Sequence, residues 1–246
     1  GLFYWTGFDY RGEPNPLKFP AAISQFGILD YCGFPKDEAF YLQSCWTADP
    51  MVYVSSNWNQ ALREGESVDL WIYSNCDEIR LLLNGVQVGK KSMPKYGHLS
   101  WPVNYKKGKL EAQGYVRGKK ITSFVMETPD YPYSLEITPS KQDLVNDGQD
   151  IVVLDISVLD TKGRFVPNAD VVLNVTTSSN VTILGWGNGD PGFKVMERPE
   201  NGNGAVFPIQ TFSGKAQLIL RSVEGASGNV DVSISGLNPE VFRLHY

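Results

Sequence analysis

The sequence predicts a mainly β chain: two immunoglobulin-like β-sandwiches preceded by a short remnant of a (β/α)8 barrel. Three observations carry this. Apolar residues alternate with polar ones at a period of two, as in Val152, Leu154, Ile156 and Val158 against Asp155 and Ser157. The same pattern returns in Val230, Val232 and Ile234 against Asp231, Ser233 and Ser235. Twenty-four Gly and fifteen Pro, spread between short apolar runs, supply the turns such folds need. Third, residues 1–10 are almost continuously apolar, as expected of a parallel strand covered on both faces. That strand has nothing ahead of it to pair with, so it reads as the last piece of a barrel and the chain as the tail of a larger protein.

The elements follow in order. Residues 36–45 are the one good helix candidate: Pro35 suits a first turn, Asp37 and Glu38 favour the positive N-terminal end, and Phe40, Tyr41 and Cys45 offer an inner face. Met51–Val54 opens the first sandwich, and Val68–Tyr73 and Ile79–Leu83 continue it. Asn84-Gly85, between Leu83 and Val86, is a strong hairpin signal because both residues tolerate positive φ. A second hairpin is expected at Gly118, joining Leu110–Arg117 to Lys119–Met126. Pro129 and Pro132 break any ladder and mark a linker at 127–132. The expected division is therefore 1–47, 48–128 and 132–246. In the last part Asp160–Gly163 reads as a turn and Gly185–Pro191 as a long glycine-rich loop.

Residues 1–47 carry a specific set of phrases. They are Trp5-Thr6-Gly7-Phe8-Asp9-Tyr10, Gly12-Glu13-Pro14, Ser24-Gln25-Phe26-Gly27-Ile28-Leu29-Asp30 and Gly33-Phe34-Pro35-Lys36-Asp37. In this order they resemble the end of the catalytic barrel in glycoside hydrolase family 2, in the bacterial β-galactosidase-like branch. Ile79–Gly89 is similar, more loosely, to the sandwich that follows that barrel. The resemblance implies a retaining exo-glycosidase as the parent protein, with a β-galactoside or related glycan as its carbohydrate partner, and a periplasmic or secreted bacterial setting. It also implies that Trp5, at a strand end where barrel active sites lie, serves as a sugar platform.

Asp9 and Glu13 are the other substrate-binding candidates. Two carboxyl groups separated by about 5–5.5 Å or about 6.5–9.5 Å can hydrolyse glycosides. The resembled family, however, takes its acid/base from an Asn-Glu dipeptide and its nucleophilic Glu from a later strand, both ahead of residue 1. No Asn-Glu dipeptide occurs in this chain. Asp9 and Glu13 are therefore expected to shape the pocket wall by hydrogen bonds, with Arg11 adjacent, and the chain by itself is expected to be inactive.

Other chemistry is excluded or displaced by structure. A net charge of −5 without a basic stripe argues against nucleic acid, and no window is long and apolar enough for a membrane span. The two histidines, His98 and His245, lie far apart, so neither a triad nor a zinc site is expected, and no cofactor or metal is called for. Asn146-Asp147-Gly148 and Asn188-Gly189-Asp190 lack calcium-loop spacing and read as turns. Asn174 and Asn180 head glycosylation sequons of a kind that arises by chance. Cys32, Cys45 and Cys76 read as three buried thiols, a Cys32–Cys45 bridge being the alternative. Among the tryptophans that could stack on sugar, Trp71 is expected in the core and Trp186 is the exposed candidate. The competing readings are a carbohydrate-binding module and an adhesive immunoglobulin-like array, and a homo-oligomer is open in each.

Overall fold

The computed structural model describes residues 1, 3–56, 58–59, 61–192 and 206–246. The chain divides into two compact units, one formed by 35–129 and the other by 1–34 together with 130–246.

The unit 35–129 is a helix and a two-sheet sandwich. Helix α1 (Asp37–Trp46) has the acidic first turn the sequence promised. The strands are β1 (Val52–Ser55), β2 (Ser67–Ser74), β3 (Glu78–Leu83), β4 (Val86–Ser92), β5 (Leu99–Asn104), β6 (Lys109–Val116) and β7 (Lys119–Glu127). They form a three-stranded sheet, β1-β2-β5, and a four-stranded sheet, β4-β3-β6-β7. Both predicted hairpins are present. Asn84 and Gly85 take φ of 51° and 81°, and Arg117 and Gly118 take 49° and 76°, so each tip has two positive-φ residues, as type I′ turns require. Leu70 and Ile72 of β2 meet Ile79 and Leu81 of β3 and Leu110 and Ala112 of β6 in the core.

The second unit holds β8 (Ser134–Pro139), β9 (Ile151–Leu159), β10 (Val172–Thr177), β11 (Val181–Gly187), β12 (Phe207–Gln210), β13 (Lys215–Ser222), β14 (Asn229–Ser235) and β15 (Glu240–His245). Two four-stranded antiparallel sheets, β11-β13-β9-β8 and β12-β10-β14-β15, face one another. Their inner faces are the alternating residues read from the sequence: Val152, Leu154, Ile156 and Val158 from β9, and Val230, Val232 and Ile234 from β14. Asp160 closes the turn after β9, accepting the N–H groups of Lys162 and Arg164.

Four expectations are corrected. The described residues of 1–10 do not form a strand; they make one parallel bridge, Phe8 to Leu29, and otherwise run as an irregular loop. A strand needs a continuous ladder, and here the backbone bonds are scattered over residues 6–10: Ile28 N–H to Thr6 O, Leu29 N–H to Gly7 O, Asp9 N–H to Leu29 O and Ser24 N–H to Tyr10 O. The apolar side chains of that segment are not covered: Phe3 is 100% exposed and Tyr4 and Phe8 are exposed as well, while Leu2 lies outside the described residues. Gly185, Trp186 and Gly187 belong to β11 instead of a loop, because β13 supplies their ladder across a bulge at Ile183/Gly185. Finally, all three cysteines are free thiols, and only Cys76 is fully buried.

Candidate functional site: an aromatic loop and an acidic cleft

Residues 1–34 are fastened to the outer face of the β11-β13-β9-β8 sheet. Asp30 is the hub, its Oδ1 accepting the N–H groups of Cys32 at 2.8 Å and Phe34 at 2.9 Å. Burial pushes its carboxyl up, although those N–H groups pull the other way. Gln217 of β13 donates through Nε2 to the Cys32 carbonyl at 2.9 Å and to Asp155 of β9 at 3.0 Å. The Lys215 ammonium lies 4.9 Å from the centre of the Phe34 ring. The same burial drives the Cys32 thiol up to about 12, so it is inert at neutral pH.

On that base the three substrate-binding candidates take different positions. Trp5 is 73% exposed, with its indole N–H 3.4 Å from the Tyr10 hydroxyl and its ring edge-on to Tyr10 at 6.0 Å. Tyr10 in turn donates a short hydrogen bond to Glu13, which holds the phenol above its ordinary value. Trp5, Tyr10 and Glu13 thus form one network on an exposed surface. Asp9 points elsewhere: it is 5% exposed and its Oδ1 accepts the Gly27 N–H at 2.8 Å, inside the loop. Arg11 donates to the Tyr31 hydroxyl at 3.4 Å. The arrangement offers an indole face anchored at its edge, with a buried carboxylate fixing the turn behind it. The Trp5–Thr6 peptide is cis.

The unit 35–129 contains a cleft that the sequence reading missed. It has a volume of 720 Å³ and is lined by residues of α1, β1 and β2 together with Leu62, Glu66 and His98. Trp71, expected in the core, lies in its wall at 44% exposure. The signal was present: Leu70 and Ile72 face inward, so period-two alternation sends Asp69 and Trp71 outward. The imidazole of His98 stacks on the indole at 4.4 Å and 15°. The indole N–H donates to Asp69 Oδ2 at 3.1 Å, and Ser100 donates to Asp69 Oδ1 at 2.7 Å. The hydrogen bond from Ser100 in particular, helped by that from Trp71, lowers the Asp69 carboxyl. On the helix side Asp37 accepts the Tyr53 hydroxyl at 3.2 Å and that of Ser55.

The remaining candidates are structural. Trp186 is half-buried against the sandwich core, not exposed. Asp147 spends Oδ1 on the N–H groups of Gln149 and Asp150, and Asn188 accepts the Asp190 N–H, so both segments are turns. The Asn180 amide donates to the Ser227 and Asn229 carbonyls. Among the described residues no group of three or more His, Cys, Asp or Glu could hold a metal ion, and no helix is long and apolar enough to cross a membrane.

Comparison with known proteins agrees with this architecture. The family model "Glycoside hydrolase family 2 C-terminal domain 5" matches residues 135–240, and a domain of unknown function, DUF4982, matches 65–122. A β-galactosidase of Bacteroides ovatus is 33% identical over 248 aligned residues, covering 99% of this chain and 28% of the relative. A putative β-glucuronidase of Formosa agariphila is 32% identical over 229, covering 91% and 22%. The crystal structure of a β-glycosidase from Bacteroides vulgatus superposes with a TM-score of 0.87 at 29% identity, over 98% of this chain and 30% of that one. The chain thus spans less than a third of the length of these relatives. Over nearly all of its residues it is similar to β-galactosidase-like glycoside hydrolase family 2 proteins, and residues 135–240 match that family's C-terminal domain 5.

Proposed function

We propose that the chain works as the non-catalytic C-terminal part of a retaining, β-galactosidase-like glycoside hydrolase, in a bacterium that secretes the enzyme or keeps it in the periplasm. The two sandwiches act as scaffold. Trp5 serves as a platform for the C–H face of a pyranose, Glu13 holds Tyr10 at its edge, and Asp9 braces the loop from behind. The carrying observation is the exposed Trp5 indole, held by its N–H and by Tyr10 on a loop that is itself fastened to the second sandwich. Residues 1–34 carry seven exposed aromatic side chains (Phe3, Tyr4, Trp5, Phe8, Phe19, Phe26 and Tyr31), each worth about 1.5–3 kcal/mol when covered, which supports the use of this segment as a contact surface. The β-galactoside comes to this reading from the relatives, and a homo-oligomer is compatible with it.

The test has two arms. The 246-residue chain incubated with a chromogenic β-galactoside should show no turnover, since the carboxylate pair of the reaction is not supplied by Asp9 and Glu13. In the longer protein proposed to contain it, Trp5→Ala should lower kcat/KM roughly 30-fold, the equivalent of about 2 kcal/mol of buried ring surface. Hydrolysis by the chain alone, or an unchanged kcat/KM in the variant, would overturn the proposal.

A further inference from the structure

The cleft of the unit 35–129 is built from residues that the aromatic loop does not use. Its Trp71 wall is locked on two sides, by the His98 stack and by the Asp69 hydrogen bond, so a ligand would meet an indole that has already lost its rotamer freedom. Trp71 lies opposite Ser55 on β1 and Ser100 on β5. These small neighbours leave the ring standing above the sheet, which explains why the cleft exists at all. Tyr73, two residues along on the same face of β2, meets Tyr41 of α1 edge-on at 5.7 Å and closes the inner end. The volume of 720 Å³ lies within the range of about 300–1,000 Å³ for small-molecule sites.

The polar groups define the ligand. Four carboxylates, from Asp37, Glu38, Glu66 and Asp69, reach the lining, and the described lining residues include no Lys or Arg. Lys91, whose charge reaches Asp69, is held on the Ser100 carbonyl at 2.9 Å and over the Trp101 ring. The Ser56 hydroxyl in the lining has no hydrogen-bond partner among the described residues. Carboxylates accept only, so they suit a ligand rich in O–H donors, while their combined charge repels an anion. A flat aromatic face beside several acceptors fits a pyranose ring.

We propose that this cleft is a binding subsite for neutral oligosaccharides, with Trp71 as the stacking platform and Asp37, Glu66 and Asp69 as hydroxyl acceptors, and that it rejects sugars bearing carboxylates. The proposal is independent of the role given to Trp5: it needs no catalytic partner and is tested on the chain alone.

The experiment titrates the 246-residue chain with neutral β-linked gluco- and galacto-tetrasaccharides, and with the C6-oxidised uronate forms of both. The readout is the indole N–H resonance of Trp71, assigned by its loss in Trp71→Phe. At least one neutral tetrasaccharide should shift that resonance saturably, and its uronate counterpart should bind at least about tenfold more weakly. Measured by titration calorimetry, because both variants lack the indole resonance, Trp71→Ala should weaken the neutral ligand by about tenfold or more, about 1.4 kcal/mol, and Trp71→Phe should fall between it and the native chain. Should Trp71→Ala fail to fold, the Phe variant and the native-chain titration still decide. The proposal is overturned if no neutral ligand moves the resonance, if uronates bind as well as neutral sugars, or if removing the indole leaves affinity unchanged.

Discussion

Single residues decide the shape of the aromatic loop. Gly27 is the clearest: a Cβ placed there would lie 2.2 Å from the Asp9 nitrogen and 2.5 Å from the Leu29 carbonyl oxygen, both rigid backbone. Gly27→Ala must therefore push the two passes of chain apart, at a local cost of about 3 kcal/mol or more. We expect hydrogen-exchange protection of the Asp9 and Leu29 amides to vanish in this variant while the β9 and β14 amides keep theirs, because the sandwich core is a separate cluster. The close approach was invisible in the sequence, where Gly27 is one glycine among many; it depends on two segments 18 residues apart meeting side by side. Asp9, Trp5 and Glu13 were legible as a group because they share a short phrase. Their division into one buried brace and one exposed network was not, since it turns on which way the backbone faces after Gly7.

At the scale of elements, the turn after β9 concentrates the strongest electrostatics of the second unit. Asp160 is fully buried, yet it stays well below the ordinary carboxylate range. Burial opposes its charge, but the Asp130 N–H, the Arg164 guanidinium and the N–H groups of Arg164 and Lys162 together outweigh that penalty. Asp160→Asn leaves Arg164 short of its main partner and should cost about 3 kcal/mol, lowering the melting temperature of this unit by about 6–12 °C in a calorimetric scan. An unchanged melting temperature would remove the turn from the list of supports. Elements were the most readable level of this chain. The hairpins at Asn84-Gly85 and Gly118 were fixed by local φ preferences, and the β9 and β14 faces by strict alternation. Where reading failed, the deciding force was not local: β11 continues through Gly185 and Gly187 because a neighbouring strand pairs with it, while the described residues of 1–10 pair by a single bridge, Phe8 to Leu29.

For the whole molecule, the sign of the pH dependence follows from the carboxylates. Hydrogen bonds from Lys120 and Gln113 bring Glu111 down to about 2, and Asp147, Asp150, Asp160 and Asp231 are also lowered. Groups depressed in the folded state bind fewer protons there than in the unfolded chain. Their stabilisation is therefore complete above the unfolded values near about 4 and drains away as pH falls through the folded ones. Asp30, raised by burial, acts in the opposite direction and favours the folded state slightly as pH drops towards 4. Thermal stability should be nearly level from pH 7 to about 4.5 and fall steeply from about 4 to 2. In Glu111→Gln the unit 35–129 should lose part of that acid-limb slope. A melting temperature that climbs between pH 4 and 2 would contradict the assignment.

The thiols add a practical corollary. Burial suppresses ionisation at Cys32 and Cys76, while Cys45 sits half-covered in the helix, close enough to Tyr41 to raise its phenol. Tyr41 is part of the cleft wall. A maleimide dye would thus find a natural attachment point beside that wall, and its fluorescence could report on occupancy without any engineered cysteine.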